Sequence, residues 1–263
     1  MGTPSFTPWR DCGGDHPPDE QLVLSTAQAL RETGLAAKGY TLLELDDGWP
    51  AAQREPITGA ILANATLFPS GMANLSSALD AMDPPLRLGL YTCRGSKTCG
   101  GKPGSEGHEA QDARTYIRWG IRQVKSDSCF APDEHRTALE QYGLMQKALS
   151  LAPPERSVFF SLCGWFNYYA AAGPRMGVGQ AYRVAADCIG FEQMLLSLDN
   201  VAPVAALLDG AHYPDMDMMS RDATRDDDSK RPDERTQLKR LQTQFALIAV
   251  TGAVLLLSFD VRD

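Results

Sequence analysis

The sequence predicts an α/β fold, a (β/α)8 TIM barrel occupying 1–263 as one domain, and three observations carry that prediction. Short apolar runs alternate with longer stretches of helical spacing, and strands of a parallel sheet, buried on both faces, read as such runs. Strand and helix in alternation imply a parallel sheet with one crossover helix per step. Eight such units close in typically about 250 residues, and the chain has 263. An open doubly wound sheet would usually carry a glycine-rich phosphate loop, but the sequence contains no G-x-G-x-x-G and no Walker segment.

The apolar runs that read as strands lie at 40–45, 86–91, 123–125, 157–162, 182–186, 204–208 and 254–258. Between them, Leu22, Ala27, Leu30 and Leu35 trace one helical face, and Leu139, Tyr142, Met145 and Leu149 trace another at spacings of three and four. The polar segment 221–234, with Asp226, Asp227 and Asp228 inside it, reads as a loop before a final helix. The run 245–259 is shorter than the roughly 20 residues that span a bilayer. Thr251 and Gly252 interrupt it, so it reads as buried helix and then buried strand.

A chain that is 43% hydrophobic and 22% charged can bury a substantial core. Its formal charge of −8 argues against a nucleic-acid binder, which needs clustered Lys and Arg to release counterions. An uncharged ligand fits better. Six cysteines, Cys12, Cys93, Cys99, Cys129, Cys163 and Cys188, are too few for a disulfide-built scaffold and enough for one or two bridges in an oxidising compartment; all six reduced is the competing reading. The sequons Asn64-Ala65-Thr66 and Asn74-Leu75-Ser76 lean towards secretion. No charged segment followed by an apolar one opens the chain, so a secretory signal is expected upstream of Met1 or not at all.

In such a barrel the chemistry sits at the C-terminal strand ends. Counting one strand as lost before Met1, the second run ends in Asp46 and Asp47, the third in Tyr91, the fourth in Asp127 and the sixth in Asp187; the seventh leads to Asp215 and Asp217, and the eighth ends in Asp260. One Asp after a strand is usually a helix N-cap; five strand ends together strain that explanation. Converging carboxylates suit a hard cation, or a sugar held by its hydroxyls while an acid and a nucleophile attack the anomeric carbon. His16, His108, His135 and His212 have no zinc-ligand spacing. Mg²⁺ or Ca²⁺ on Asp46, Asp47 and Asp215 is the lesser alternative, so no metal and no cofactor is expected.

Several separated motifs occur in order: Leu45-Asp46-Asp47-Gly48-Trp49, Phe68-Pro69-Ser70-Gly71-Met72, Gly89-Leu90-Tyr91, Lys97-Thr98-Cys99 and Pro103-Gly104-Ser105. They continue with Lys125-Ser126-Asp127-Ser128-Cys129, Arg183-Val184-Ala185-Ala186-Asp187, Tyr213-Pro214-Asp215-Met216 and Ser258-Phe259-Asp260-Val261-Arg262. Together they resemble glycoside hydrolase family 27, the α-galactosidase and α-N-acetylgalactosaminidase (melibiase) family. The departures are Ser126 where the family carries an aromatic residue, Tyr213 where it carries Asp, and a degraded aromatic opening, Met1 to Phe6 with Trp9 beyond.

The resemblance implies a retaining hydrolase of terminal α-galactosides, with Asp127 as nucleophile and Asp187 as general acid/base about 5–5.5 Å apart. It implies sugar contacts from Asp46, Asp47, Tyr91, Lys125, Cys163, Trp165, Arg183 and Asp215, with either Phe6 or Trp9 stacking on the ring, and a bridge between Cys99 and Cys129. Asp187 should have its pKa raised by burial and by nearby negative charge. Galactosidases usually carry Cys-Glu-Trp after the fifth strand; Cys163-Gly164-Trp165 lacks that carboxylate and is expected to leave open space. N-acetylgalactosamine, β-L-arabinopyranose and a truncated, inactive sugar binder therefore stand as alternatives to galactose hydrolysis. Partners are expected to be α-galactosides or glycans rather than nucleic acid or membrane, with a homodimer to be tested, in a secreted, lysosomal or vacuolar setting. Against the family pattern the first strand, the last barrel helix and the C-terminal β-sandwich are expected to be missing, leaving exposed strand edges.

Overall fold

The computed structural model describes residues 18–164, 168–187, 190–219, 232–258 and 260–262, and the backbone of 5–6. Its strands are β1 (Ser5–Phe6), β2 (Leu42–Leu45), β3 (Arg87–Cys93), β4 (Gln123–Asp127), β5 (Phe159–Leu162), β6 (Ala181–Arg183), β7 (Tyr213–Asp215), β8 (Met218–Met219) and β9 (Leu256–Leu257). The helices are α1 (Glu20–Glu32), α2 (Met72–Asp80), α3 (Glu109–Arg118), α4 (His135–Leu149), α5 (Tyr168–Met176), α6 (Phe191–Val201) and α7 (Glu234–Thr251).

All the ladders are parallel, in the order β7-β6-β5-β4-β3-β2-β1-β9-β8. β7 pairs with β6 and β8 with β9, while only Met216 and Asp217 separate β7 from β8 in sequence. One stretch, 213–219, thus bonds to both flanks and closes the sheet into a barrel of eight positions. Val254 N–H donates to Pro214 O at 3.0 Å, tightening the same seam.

Alternation along each strand sorts the side chains. Leu43, Leu45, Leu88, Leu90, Val124, Phe160 and Leu162 have no exposure and join one apolar core with Val23, Ala27 and Leu30 of α1 and Leu75 and Leu79 of α2. Tyr116 of α3 and Leu139 and Tyr142 of α4 complete that layer. The alternate residues Glu44, Gln123, Lys125, Ser161, Arg183 and Asp215 are buried and polar. The barrel interior is therefore charged, which suits a site at one end better than a dry plug.

Most expected elements are found, with three differences. The run 204–208 is not a strand; Ala202–Leu207 forms a 3-10 helix with Pro203 in its first turn. Proline has no N–H to give a ladder, and only Val201 and Val204 are buried there, at a spacing of three. The seventh barrel position belongs to 213–219 instead. The first position is not vacant: Ser5–Phe6 pairs with Leu42–Leu43 on one side and Leu256–Leu257 on the other, so the expected open edges are replaced by a short stave. Most of the polar segment 221–234 lies outside the described residues. α7 begins where Asp233 accepts from Thr236 N–H at 3.0 Å. No helix among the described residues is long and apolar enough to cross a membrane.

Candidate active site

The C-terminal ends of β2 to β7 bring the predicted acids to one mouth. Lys125 and Asp127 share a face of β4, and Tyr91 of β3 is the register partner of Lys125. The Tyr91 hydroxyl donates to Asp127 Oδ2 at 2.8 Å, while Asp127 Oδ1 accepts from Ser128 N–H at 2.8 Å. Burial raises the Tyr91 pKa far above its ordinary value, with Asp127 and Asp46 adding to it, so the phenol is a fixed donor. Lys125 Nζ lies 2.8 Å from Asp46 Oδ2 and 5.4 Å from the Tyr91 ring centroid. Burial pulls the lysine pKa down; the charge of nearby acids, Asp46 first, outweighs it and holds the value well above normal.

A second group gathers on β6 and β7. The Arg183 guanidinium is buried and reaches Asp187 Oδ1 at 2.7 Å and Asp217 Oδ2 at 3.0 Å through Nη2. Asp215 Oδ1 accepts from the Asp217 backbone N–H at 2.8 Å, so the guanidinium orients the Asp217 side chain and a backbone amide holds that of Asp215. Cys163, at the end of β5, joins the two groups: its sulfur is 3.6 Å from Arg183 Nη1, and its pKa is raised by burial and then by Asp127. It is a neutral thiol. Asp187 differs from expectation, since its side chain is 59% exposed rather than buried. Its strand has ended at Arg183, and the bend that follows carries it out of the buried layer.

The loop after β3 supports this floor. Asp47 commits Oδ1 to Gly48 N–H at 2.7 Å and Oδ2 to Gly100 N–H at 2.6 Å, which makes it a clamp on that loop. Cys99 and Cys129 form the expected disulfide across the mouth, with Cα atoms 5.1 Å apart and a sequence separation of 30. Gly95 must be glycine here, since a Cβ would stand 2.2 Å from Cys129 O. Arg94 fixes the far side by donating to Gln141, Pro132 O and Ser128 Oγ. Cys99, Asp127 and Cys129 have metal-like spacing, but with both sulfurs in the disulfide they offer no thiolate.

A family model described as Melibiase_2, alpha galactosidase A, matches residues 6–263. The chain belongs to this family. Alpha-galactosidase A of Cellvibrio japonicus is 34% identical over 213 residues, covering 76% of this chain and 50% of that protein. Alpha-galactosidase I of Mortierella vinacea superposes with a TM-score of 0.82 at 24% identity over 100% of this chain and 68% of the other. An α-galactosidase of Saccharomyces cerevisiae solved with raffinose gives 0.79 at 22%, over 97% and 58%. The chain spans about half the length of the curated relatives it matches, 50% and 43% in two of them.

Within this melibiase-family chain Asp46, Tyr91, Lys125, Asp127 and Cys163 gather around the β4 end, and Arg183, Asp187 and Asp215 around β6 and β7. Trp9 and Trp165, expected to touch the sugar, lie outside the described residues, as do Cys12 and Cys188. The space expected beside Gly164 is not open: a Cβ there would stand 2.1 Å from Cε2 of Tyr169, whose ring fills it. Sequence reasoning passed over Tyr169 and Glu44. Glu44 had a signal, an acid two residues before Asp46 in a strand otherwise made of leucines. Tyr169 had none: no pattern in the residues marks it as the neighbour of Gly164.

Proposed function

We propose that this member of the melibiase family is a retaining glycoside hydrolase that removes terminal α-linked galactose from oligosaccharides or glycoconjugates. The observation that carries the reading is the strand-end pair of Asp127, held by the Tyr91 hydroxyl, and the Lys125–Asp46 ion pair beside it. A carboxylate fixed at both oxygens, Oδ2 by the Tyr91 hydroxyl and Oδ1 by Ser128 N–H, keeps one orientation towards the sugar, and the lysine–aspartate pair presents a donor and an acceptor to adjacent sugar hydroxyls.

In the first displacement an Asp127 oxygen bonds to the anomeric carbon as the glycosidic C–O bond breaks, and Asp187 gives its proton to the leaving oxygen. In the second, Asp187 takes a proton from water, whose oxygen replaces Asp127 on that carbon. Exposure suits Asp187 to this role, because a group that must exchange its proton with water twice per cycle gains from access. Arg183 orients it. Substrate covering the mouth takes Asp187 out of water, and desolvation favours the protonated form that the first displacement needs.

Galactose is favoured over N-acetylgalactosamine because the Tyr169 ring occupies the volume that Gly164 vacates. A disulfide beside the nucleophile belongs to an oxidising setting, secreted, lysosomal or vacuolar. The test is hydrolysis of nitrophenyl α-galactoside against its N-acetyl analogue. Asp127→Asn is expected to lower kcat by at least about 10³-fold, roughly 4 kcal/mol of barrier. Asp127→Gly with added azide is expected to release β-galactosyl azide, azide standing in for the missing carboxylate. Activity retained in Asp127→Asn removes the assignment.

A further inference from the structure

The groups of the mouth stand on a second buried layer that the two displacements do not use. Glu44, 2% exposed, precedes Asp46 by two residues on β2, and Gln123, 3% exposed, precedes Lys125 by two on β4. The Gln123 amide donates to Glu44 Oε2 at 2.5 Å and lies 3.3 Å from Ser161 Oγ on β5. Its own Oε1 is buried and has no hydrogen-bond partner among the described residues. Gly89 of β3, in register with both residues, leaves them the room: a Cβ there would come within 3.1 Å of Gln123 Cβ and 3.5 Å of Glu44 Cα.

The charged groups facing Glu44 are Lys125 from β4, Asp46 from its own strand and Asp215 from β7. The acid therefore sits directly below the ion pair assigned to sugar binding. Below it in turn, a cavity of about 380 Å³ occupies the N-terminal mouth of the barrel, lined by Arg87, Arg122, Gln123 and Gln180 among others. Gln123 both lines that cavity and donates to Glu44, which ties the acid to the face of the barrel opposite the substrate.

We propose that Glu44 is a positioning residue for substrate: by gaining or losing a proton, it sets how firmly Lys125 is held towards Asp46 and hence the affinity for galactosides. The proposal rests on the reading of Asp46 and Lys125 as sugar-binding groups. With Glu44 neutral, the ammonium is shared only between Asp46 and the bound sugar. With Glu44 ionised, a second carboxylate draws Nζ downwards, and the sugar loses a donor. Burial pushes the Glu44 carboxyl up to about 7, with Lys125 opposing, Asp46 and Asp215 adding and the Gln123 amide opposing, so the change falls near neutral pH.

The test compares KM and kcat for nitrophenyl α-galactoside from pH 5 to 9 in the parent, Glu44→Gln and Gln123→Met. KM of the parent is expected to rise about tenfold between pH 6 and 8, the worth of one charged hydrogen bond. Glu44→Gln is expected to flatten that rise. Gln123→Met, which removes a donor to the carboxylate, is expected to move it to higher pH, and this variant carries the test if Glu44→Gln does not fold. The pH profile of kcat is expected to be the same in all three. A parent KM that is flat from pH 6 to 8, or the same rise in Glu44→Gln, overturns the proposal while leaving the hydrolase reading intact. A parent without any turnover sinks that reading, and the proposal with it.

Discussion

At Gly164 the Tyr169 ring stands where a side chain would otherwise begin, 2.1 Å from the place of a Cβ. Replacing a carboxylate by glycine suggests room for a larger sugar substituent, yet protein interiors are filled to crystal density, and the Tyr169 ring has moved into the gap. Tyr169 is itself held by ring contacts, with centroids 5.6 Å from Tyr142 and 5.8 Å from His135. Gly164→Ala is therefore expected to overpack the site and cost about 1–3 kcal/mol, read as a fall in thermal unfolding temperature. Tyr169→Ala in the same chain should remove most of that cost, and the double-mutant cycle measures the coupling. Tyr169→Ala alone should also shift the ratio of N-acetylgalactosaminide to galactoside hydrolysis upwards. An unchanged ratio would mean that the ring does not wall the sugar's second position.

At the scale of elements, the loop between β3 and α3 and the turn after β4 form one unit, stitched by Cys99–Cys129, the Asp47 clamp on Gly100 and the contacts of Arg94. Breaking the disulfide with Cys99→Ser is expected to cost about 2–4 kcal/mol. Because Cys129 lies two residues beyond Asp127, kcat should fall together with the unfolding temperature; a stability loss at unchanged kcat would show that the bridge is not needed to hold the nucleophile. This unit was largely legible in the residues, since paired cysteines, glycines at close approaches and strand-end acids are local signals. β2, β3, β4 and β5 were legible for the same reason, each having a buried apolar set on alternate positions. The seventh stave was not. Tyr213-Pro214-Asp215 and Met218-Met219 are too short and too polar to read as a strand, while the run 204–208 is apolar but folds with a period of three. β1, with two residues, gives no period at all. What holds those short staves is pairing on both sides, and pairing is a property of the closed ring rather than of either segment.

Closure has a cost for the whole molecule that pH exposes. A ring whose interior carries Glu44, Lys125, Asp46, Arg183, Asp215 and Asp217 must balance charge out of water. Glu44 is the group left to titrate: burial takes its carboxyl from the ordinary 4.5 to about 7. Between those two values the unfolded chain has lost this proton while the native barrel still holds it, so stability falls as pH rises through the window and is flat above it. The loss is on the order of 3 kcal/mol. Exposed Glu55, Asp209 and Asp233 act in the opposite sense and in a lower window: hydrogen bonds hold their carboxyls below normal, so their contribution is present above the ordinary carboxylate pKa and lost as pH falls. Stability is therefore expected to peak near pH 5 and to decline towards pH 7, with a drop in unfolding temperature on the order of 5–10 °C for a chain of this size. Glu44→Gln, which has no proton to lose, should abolish the decline on the neutral side and keep the acid limb. If calorimetry finds the same decline in that variant, the buried acid of the barrel is not what sets the pH at which the fold is strongest.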